Sequence, residues 1–120
     1  MNPSPVHALL DDLFFRSRIE ATAQAAGVRV LVSRTLAELE QRLDDGGGRG
    51  VLVDLGLGTD AAAAAIGTLK RRVDPPRVVA WGSHVDEAAM NAARDAGADR
   101  VLPRSAFTRR LPELLRELAG

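Results

Sequence analysis

The chain has 120 residues, enough for one compact domain spanning 1–120 and too few for two. Its 16 basic and 16 acidic side chains cancel, so no global field draws it to nucleic acid or to an anionic membrane. Cysteine is absent, which excludes a disulfide framework, a thiolate nucleophile and a thiolate metal site, and fits a reducing, cytoplasmic compartment. Apolar residues reach 46% but aromatics only 3%, so an aliphatic core is expected. The opening MNPSPVHALLDD lacks the basic start and long apolar run of a secretory leader, and no apolar window approaches bilayer length.

Short β-rich runs alternate with longer helical ones. VHALL (6–10) reads as a first strand. In FFRSRIEATAQAAG, Phe15, Ile19, Ala23 and Ala26 recur at helical spacing, and Gly27 supplies a stop. VRVLV (28–32) is rich in β-branched residues and reads as the second strand. SRTLAELEQRLDD (33–45) is a second helix, with Thr35 and Glu38 spaced as a capping box and Leu36, Leu39 and Leu43 as its apolar face. GGGRG (46–50) reads as a loop.

The continuous apolar run GVLVDLG predicts a third strand covered on both faces, ending at Asp54 or Leu55. TDAAAAAIGTLKRRV (59–73) is a third helix, with Asp60 placed to cap it, Ile66 and Leu69 turned inward, and DPP ending it. RVVAW (77–81) is the fourth strand. SHVDEAAMNAARDAG is the fourth helix, with Ser83 and Asp86 as a capping box and Val85, Ala89, Ala92, Ala93 and Ala96 on its buried side. A short fifth strand spans about Arg100 to Leu102. TRRLPELLRELAG is the last helix, with Pro112 near its beginning and Leu111, Leu114, Leu115 and Leu118 facing inward. Five strands, five helices and short connections predict an α/β fold: a five-stranded open parallel sheet with helices on both faces.

In such folds ligands bind at the carboxyl ends of the strands. There the spacing brings Asp11 and Asp12 after the first strand, Asp54 at the end of the third, Gly82 and Ser83 after the fourth, and Pro103, Arg104 and Ser105 after the fifth. Carboxylates grouped with a cation suit two chemistries. A carboxylate oxygen can attack a phosphoryl group to give an acyl phosphate, and neighbouring carboxylates can hold Mg²⁺, a hard ion that prefers oxygen ligands. A simpler use of Asp54 is to accept backbone N–H groups of the glycine-rich turn that follows it. Trp81, the only tryptophan, either fills space near this rim or serves as a binding anchor. Phe14 and Phe15 are adjacent on one helix, so one faces the core and the other does not, and Phe107 reads as packing at the base of the last helix. His7 reads as a structural side chain and His84 as the better ligand candidate, but two histidines without a cluster make no zinc site.

From about Val6 to Leu118 the order of these segments resembles a receiver domain of the bacterial two-component response-regulator (CheY-like) superfamily, a (βα)5, flavodoxin-like fold. ARDAGADRVLPRSAFTRRLPELLREL is similar to the family's A…AGA…Y…KPF…L…L segment, VLVDLGLG to its phosphoacceptor strand, RVVAWGS to its fourth strand, and LLDD to the place of its acidic pair. The resemblance implies Asp54 as phosphoacceptor, Asp11, Asp12 and Asp54 as Mg²⁺ ligands, and Arg104 or Pro103 in place of the family's lysine. It also marks departures. Gly82 stands for the hydroxyl-bearing Thr or Ser, GLG replaces MP after the acceptor, Ser105 replaces the proline after the lysine, and Val101 replaces the switch aromatic.

Losses gathered at the site, with the core pattern kept, point to a divergent or pseudo-receiver: a stand-alone signalling module, not an enzyme, needing no cofactor and acting through protein contacts. By resemblance its partners would be a histidine kinase or a downstream regulator, met on the face of the fourth helix, fifth strand and fifth helix. A homodimer is a further option that the resemblance implies. The alternative is a functional atypical response regulator, phosphorylated at Asp54 with Mg²⁺. A small nucleotide-binding enzyme is disfavoured, because no GxGxxG follows the first strand and no Walker motif occurs.

Overall fold

A computed structural model describes residues 4–120; residues 1–3 of the expected domain lie outside it. Its elements are β1 (Val6–Leu9), α1 (Leu13–Ala26), β2 (Val30–Ser33), α2 (Leu36–Gly46), β3 (Gly50–Asp54), a 3-10 turn (Leu55–Leu57), α3 (Thr59–Lys70), β4 (Arg77–Gly82), α4 (Glu87–Ala96), β5 (Arg100–Pro103) and α5 (Arg104–Ala119). The strands form one parallel sheet in the order β2-β1-β3-β4-β5, so the chain reverses direction across the sheet after β2. No helix of the described residues is long and apolar enough to cross a membrane.

Alternation along the strands divides the core into two layers. Val6, Ala8, Leu52, Val79 and Trp81 face α1 and α5, where Phe15, Ile19, Phe107, Leu111 and Leu115 meet them. Leu9, Val51, Val53, Val78 and Ala80 face the other side, against Leu39 and Leu43 of α2, Ile66 and Leu69 of α3, and Ala89 and Ala93 of α4. Burial on both faces is why β3 and β4 read as unbroken apolar runs. At the start of β3, a Cβ on Gly50 would lie 2.5 Å from the Cβ of Leu118, so α5 passes too close for any side chain there.

Several expected boundaries move, each for a local reason. Asp86, not Ser83, caps α4: its Oδ1 accepts from the Ala89 N–H at 3.1 Å, and the helix starts one residue later. Val85 therefore precedes the cap and is 75% exposed instead of buried, and Met90 takes the inward place. Asp60 does not cap α3; Gly58 occupies the cap position without a side-chain bond, and Asp60 sits in the first turn, where its charge favours the helix dipole. That helix ends at Lys70, ahead of DPP.

The largest change is at α5, which begins at Arg104 and so carries Pro112 well inside it. An interior proline removes the bond to the carbonyl four residues back, at a cost of ~3 kcal/mol. Burial of Phe107, Leu111, Leu114, Leu115 and Leu118 along one face outweighs that cost.

Candidate functional site

The carboxyl ends of β1, β3 and β5 frame an open cleft of about 310 Å³, lined by Asp11, Asp12, Asp54, Gly56, Leu57 and Arg104. Asp11, Asp12, Asp54 and Arg104 thus share one rim, but they play different parts there.

Asp54 ends β3 and is only 6% exposed. Its Oδ1 accepts from the Gly56 N–H at 2.8 Å and so caps the 3-10 turn. A Cβ on residue 56 would lie 2.9 Å from that same oxygen, which explains the first glycine of GLG. Burial pushes the Asp54 carboxyl up from its ordinary value; the Gly56 bond opposes this, the charge of Asp12 adds to it, and Arg104 weakly opposes it.

Asp12 caps α1, its Oδ1 accepting from the N–H groups of Phe14 (2.9 Å) and Phe15 (3.2 Å). Asp11 pairs with Arg34, whose Nε lies 2.8 Å from Oδ1, on the exposed side of the rim. Of the two, Asp12 is the residue whose charge acts on Asp54. Among the described residues no three His, Cys, Asp or Glu side chains are grouped as a metal-binding set. The fit to a divalent cation is therefore partial: Asp12 and Asp54 each engage one carboxylate oxygen in a backbone bond, and Asp11 is engaged by Arg34.

Arg104 is the first residue of α5 and lines the cleft. Its guanidinium carbon lies 5.6 Å from the centre of the Phe15 ring, a cation–π arrangement, and among the described residues it makes no ion pair with Asp54. Pro103 ends β5 and caps α5 in an extended conformation.

Opposite Asp54 in the β3–β4 ladder stands Trp81, with Gly82 one residue beyond. Neither bears a hydroxyl, and Ser83 Oγ accepts from the Val85 N–H at 3.4 Å. Trp81 is fully buried, so the anchor reading fails and the packing reading holds. Its indole stacks on Phe107 with ring centres 4.2 Å apart and planes 4° from parallel, and Phe15 packs against both rings. Sequence reasoning missed this group, although only four aromatic residues exist and three of them meet here. Phe14, the outward partner of Phe15, is exposed beneath the guanidinium of Arg18. His84 is exposed near the end of β5, in a separate groove with Glu87, Met90, Asn91, Arg94 and Pro103.

No family model matches the chain, and no curated protein matches it significantly in sequence. Solved structures do match. A response-regulator signal receiver domain from Bermanella marisrubri superposes with a TM-score of 0.81 at 17% identity, covering 97% of this chain and 98% of that one. The receiver domain of a Pseudomonas aeruginosa sensor histidine kinase gives 0.81 at 15%, with 98% of each covered. A CheY-like protein from Pseudomonas aeruginosa (tadZ) gives 0.79 at 24%, covering 96% and 98%. At such identities the likeness establishes architecture: this chain has the (βα)5 fold of the receiver domains, with Asp54 and Arg104 at the rim where its strands end.

Proposed function

We propose that the chain is a receiver-like signalling module that works by protein–protein contact and does not run the usual phosphorylation switch at Asp54. The observation that carries this is Trp81, opposite Asp54 on the neighbouring strand, buried and stacked on Phe107 of α5. A hydroxyl at the end of β4 could follow a phosphoryl group on Asp54; Gly82 has none, and the only donor of Trp81, its indole N–H, is buried in the core without a partner. The stack also ties β4 to the first turns of α5, where a receiver-type relay would have to move. Asp11, paired with Arg34, adds no carboxylate to a cation beside Asp54 in this arrangement.

A partner would meet the face of α4, β5 and α5, where Val85 is exposed beside the groove of His84, Met90 and Asn91. A histidine kinase and a downstream regulator are the partner classes that the fold suggests. The module itself transfers no phosphoryl group to a substrate.

The second reading is a working acceptor, and the cleft favours it on one point. Asp12, Asp54 and Arg104 do share a single opening, and the similar receiver domain of the Pseudomonas aeruginosa kinase was solved with magnesium in its active-site cleft. In that reading Asp12 and Asp54 hold Mg²⁺ and Arg104 contacts the phosphoryl oxygens, with a geometry unlike that of a lysine. Acetyl phosphate with Mg²⁺, read by intact mass, separates the two. The proposal expects no stable adduct; a phosphoryl adduct that forms on the native chain and is absent from Asp54→Asn overturns it.

A further inference from the structure

At the end of the sheet opposite the cleft, His7 of β1 is a fully buried titratable side chain that the rim chemistry does not use. Its Nε2 lies 2.9 Å from the carbonyl oxygen of Gly47, which can only accept, so Nε2 carries the proton. Its Nδ1 is buried and has no partner among the described residues. The loop that follows α2 lies directly on the ring: a Cβ on Gly48 would be 2.7 Å from both Cδ2 and Nε2. Gly47 and Gly48 have φ of +68° and +135°, values that suit glycine, so this close seat is built into the GGGRG segment. The same two glycines form a wall of an open groove of about 640 Å³, together with Leu43, Arg71, Arg72 and Pro76.

We propose that His7 and the loop 47–49 form a proton-sensitive latch at this edge: the neutral ring holds the loop down, and the protonated ring releases it and reshapes the groove that the loop walls. Protonation would place a second N–H at Nδ1, in a buried position with no acceptor, which is among the costliest places for a donor. The charged groups that act on the ring are Arg42 of α2 and Arg29 ahead of β2, both cations that oppose a second positive charge. The bond to Gly47 favours the protonated ring but is outweighed by burial, which holds His7 below its ordinary value. A proton therefore binds His7 more tightly once the loop has lifted, and acid drives the loop open.

The readout is amide exchange at Gly47, whose N–H donates to the Leu43 carbonyl at 2.9 Å, followed by NMR alongside the His7 ring resonances from about pH 7.5 to about pH 5. After correction for intrinsic exchange, opening at Gly47 should rise by up to about tenfold per pH unit below the ring's ordinary range, with the amides of β4 unchanged. His7→Phe keeps a ring in place and should abolish that pH dependence. Gly48→Ala should open the loop already at neutral pH, with the rest of the spectrum intact. Ring titration without a change at Gly47, a loop that stays shut throughout the range, or full pH dependence in His7→Phe would each overturn the latch.

Discussion

Replacing Phe107 by alanine tests the aromatic stack behind the cleft. Phe107 has no exposed surface and lies flat against Trp81, with Phe15 at its edge. Truncating a buried phenylalanine costs ~3–5 kcal/mol through lost burial and the cavity left behind, and a lost stacked pair places this site toward the upper half of that range. A domain of this kind has a total stability of about 5–15 kcal/mol. With an unfolding entropy of about 0.25 kcal/mol/K for a 120-residue chain, the loss corresponds to a fall in Tm of roughly 12–20 °C. Urea unfolding followed by Trp81 emission and by far-UV circular dichroism gives both the loss and a check that the two probes coincide. Phe107→Leu keeps most of the volume and should lose only ~1–2 kcal/mol. A loss below about 1.5 kcal/mol in Phe107→Ala, with Trp81 emission unmoved, would refute the claim that the stack fixes β4 to α5.

Three further substitutions probe other parts of the account. The folded state holds the Asp54 carboxyl above its ordinary value, so it binds the proton more tightly than the unfolded chain does, and stability falls as pH rises through that window. Asp54→Asn, which can still accept from Gly56, should therefore raise the urea midpoint at neutral pH and flatten its acid-side pH profile; a lower midpoint would contradict this. Asp99 behaves oppositely. Burial pushes it up, but the Lys70 ammonium (2.9 Å), the Val78 N–H (2.7 Å) and Arg77 outweigh burial and hold it below its ordinary value. Its contribution is present above the unfolded carboxylate range and is lost as pH falls through the folded value. Asp99→Asn should cost only ~1 kcal/mol at neutral pH, because the pair is partly exposed, and the deficit should vanish in acid. Gly50→Ala drives a methyl group into Leu118 and should cost ~1–3 kcal/mol by thermal unfolding, with no effect on the cleft.

Much of this architecture could be read from local pattern. Thr35 caps α2 through the Glu38 N–H, and Gly27 ends α1 in a left-handed conformation, both as their sequence neighbourhoods imply. The apolar run of β3 announced a strand covered on both faces. At α5 the local rule failed, because Pro112 reads as a helix start only while the pull of buried Phe107, five residues earlier in the chain, is ignored. The placing of Asp11, Asp12, Asp54 and Arg104 on one rim was legible, since the strand ends dictate it. The bond from the glycine-rich turn to Asp54 was legible as well, but the partner of Asp11 was not. Asp11 finds Arg34 across the β1–β2 edge, and Trp81 finds Phe107 across most of a helix–sheet layer. Such contacts depend on register between segments far apart in sequence, which no local spacing encodes. The glycines at 50 and 56 likewise look like flexibility in the sequence and turn out to be points of close approach.

The central claim is that Asp54 no longer drives a conformational switch. It is tested most directly by adding Mg²⁺ and a beryllofluoride-type phosphoryl mimic while recording Trp81 emission and the backbone amide spectrum. The account predicts no saturable change in the indole signal and no shift of the β4, β5 and α5 amides, because Trp81 stays stacked on Phe107. A saturable change in both, lost in Asp54→Asn, would contradict it and assign the cleft to a working phosphoacceptor.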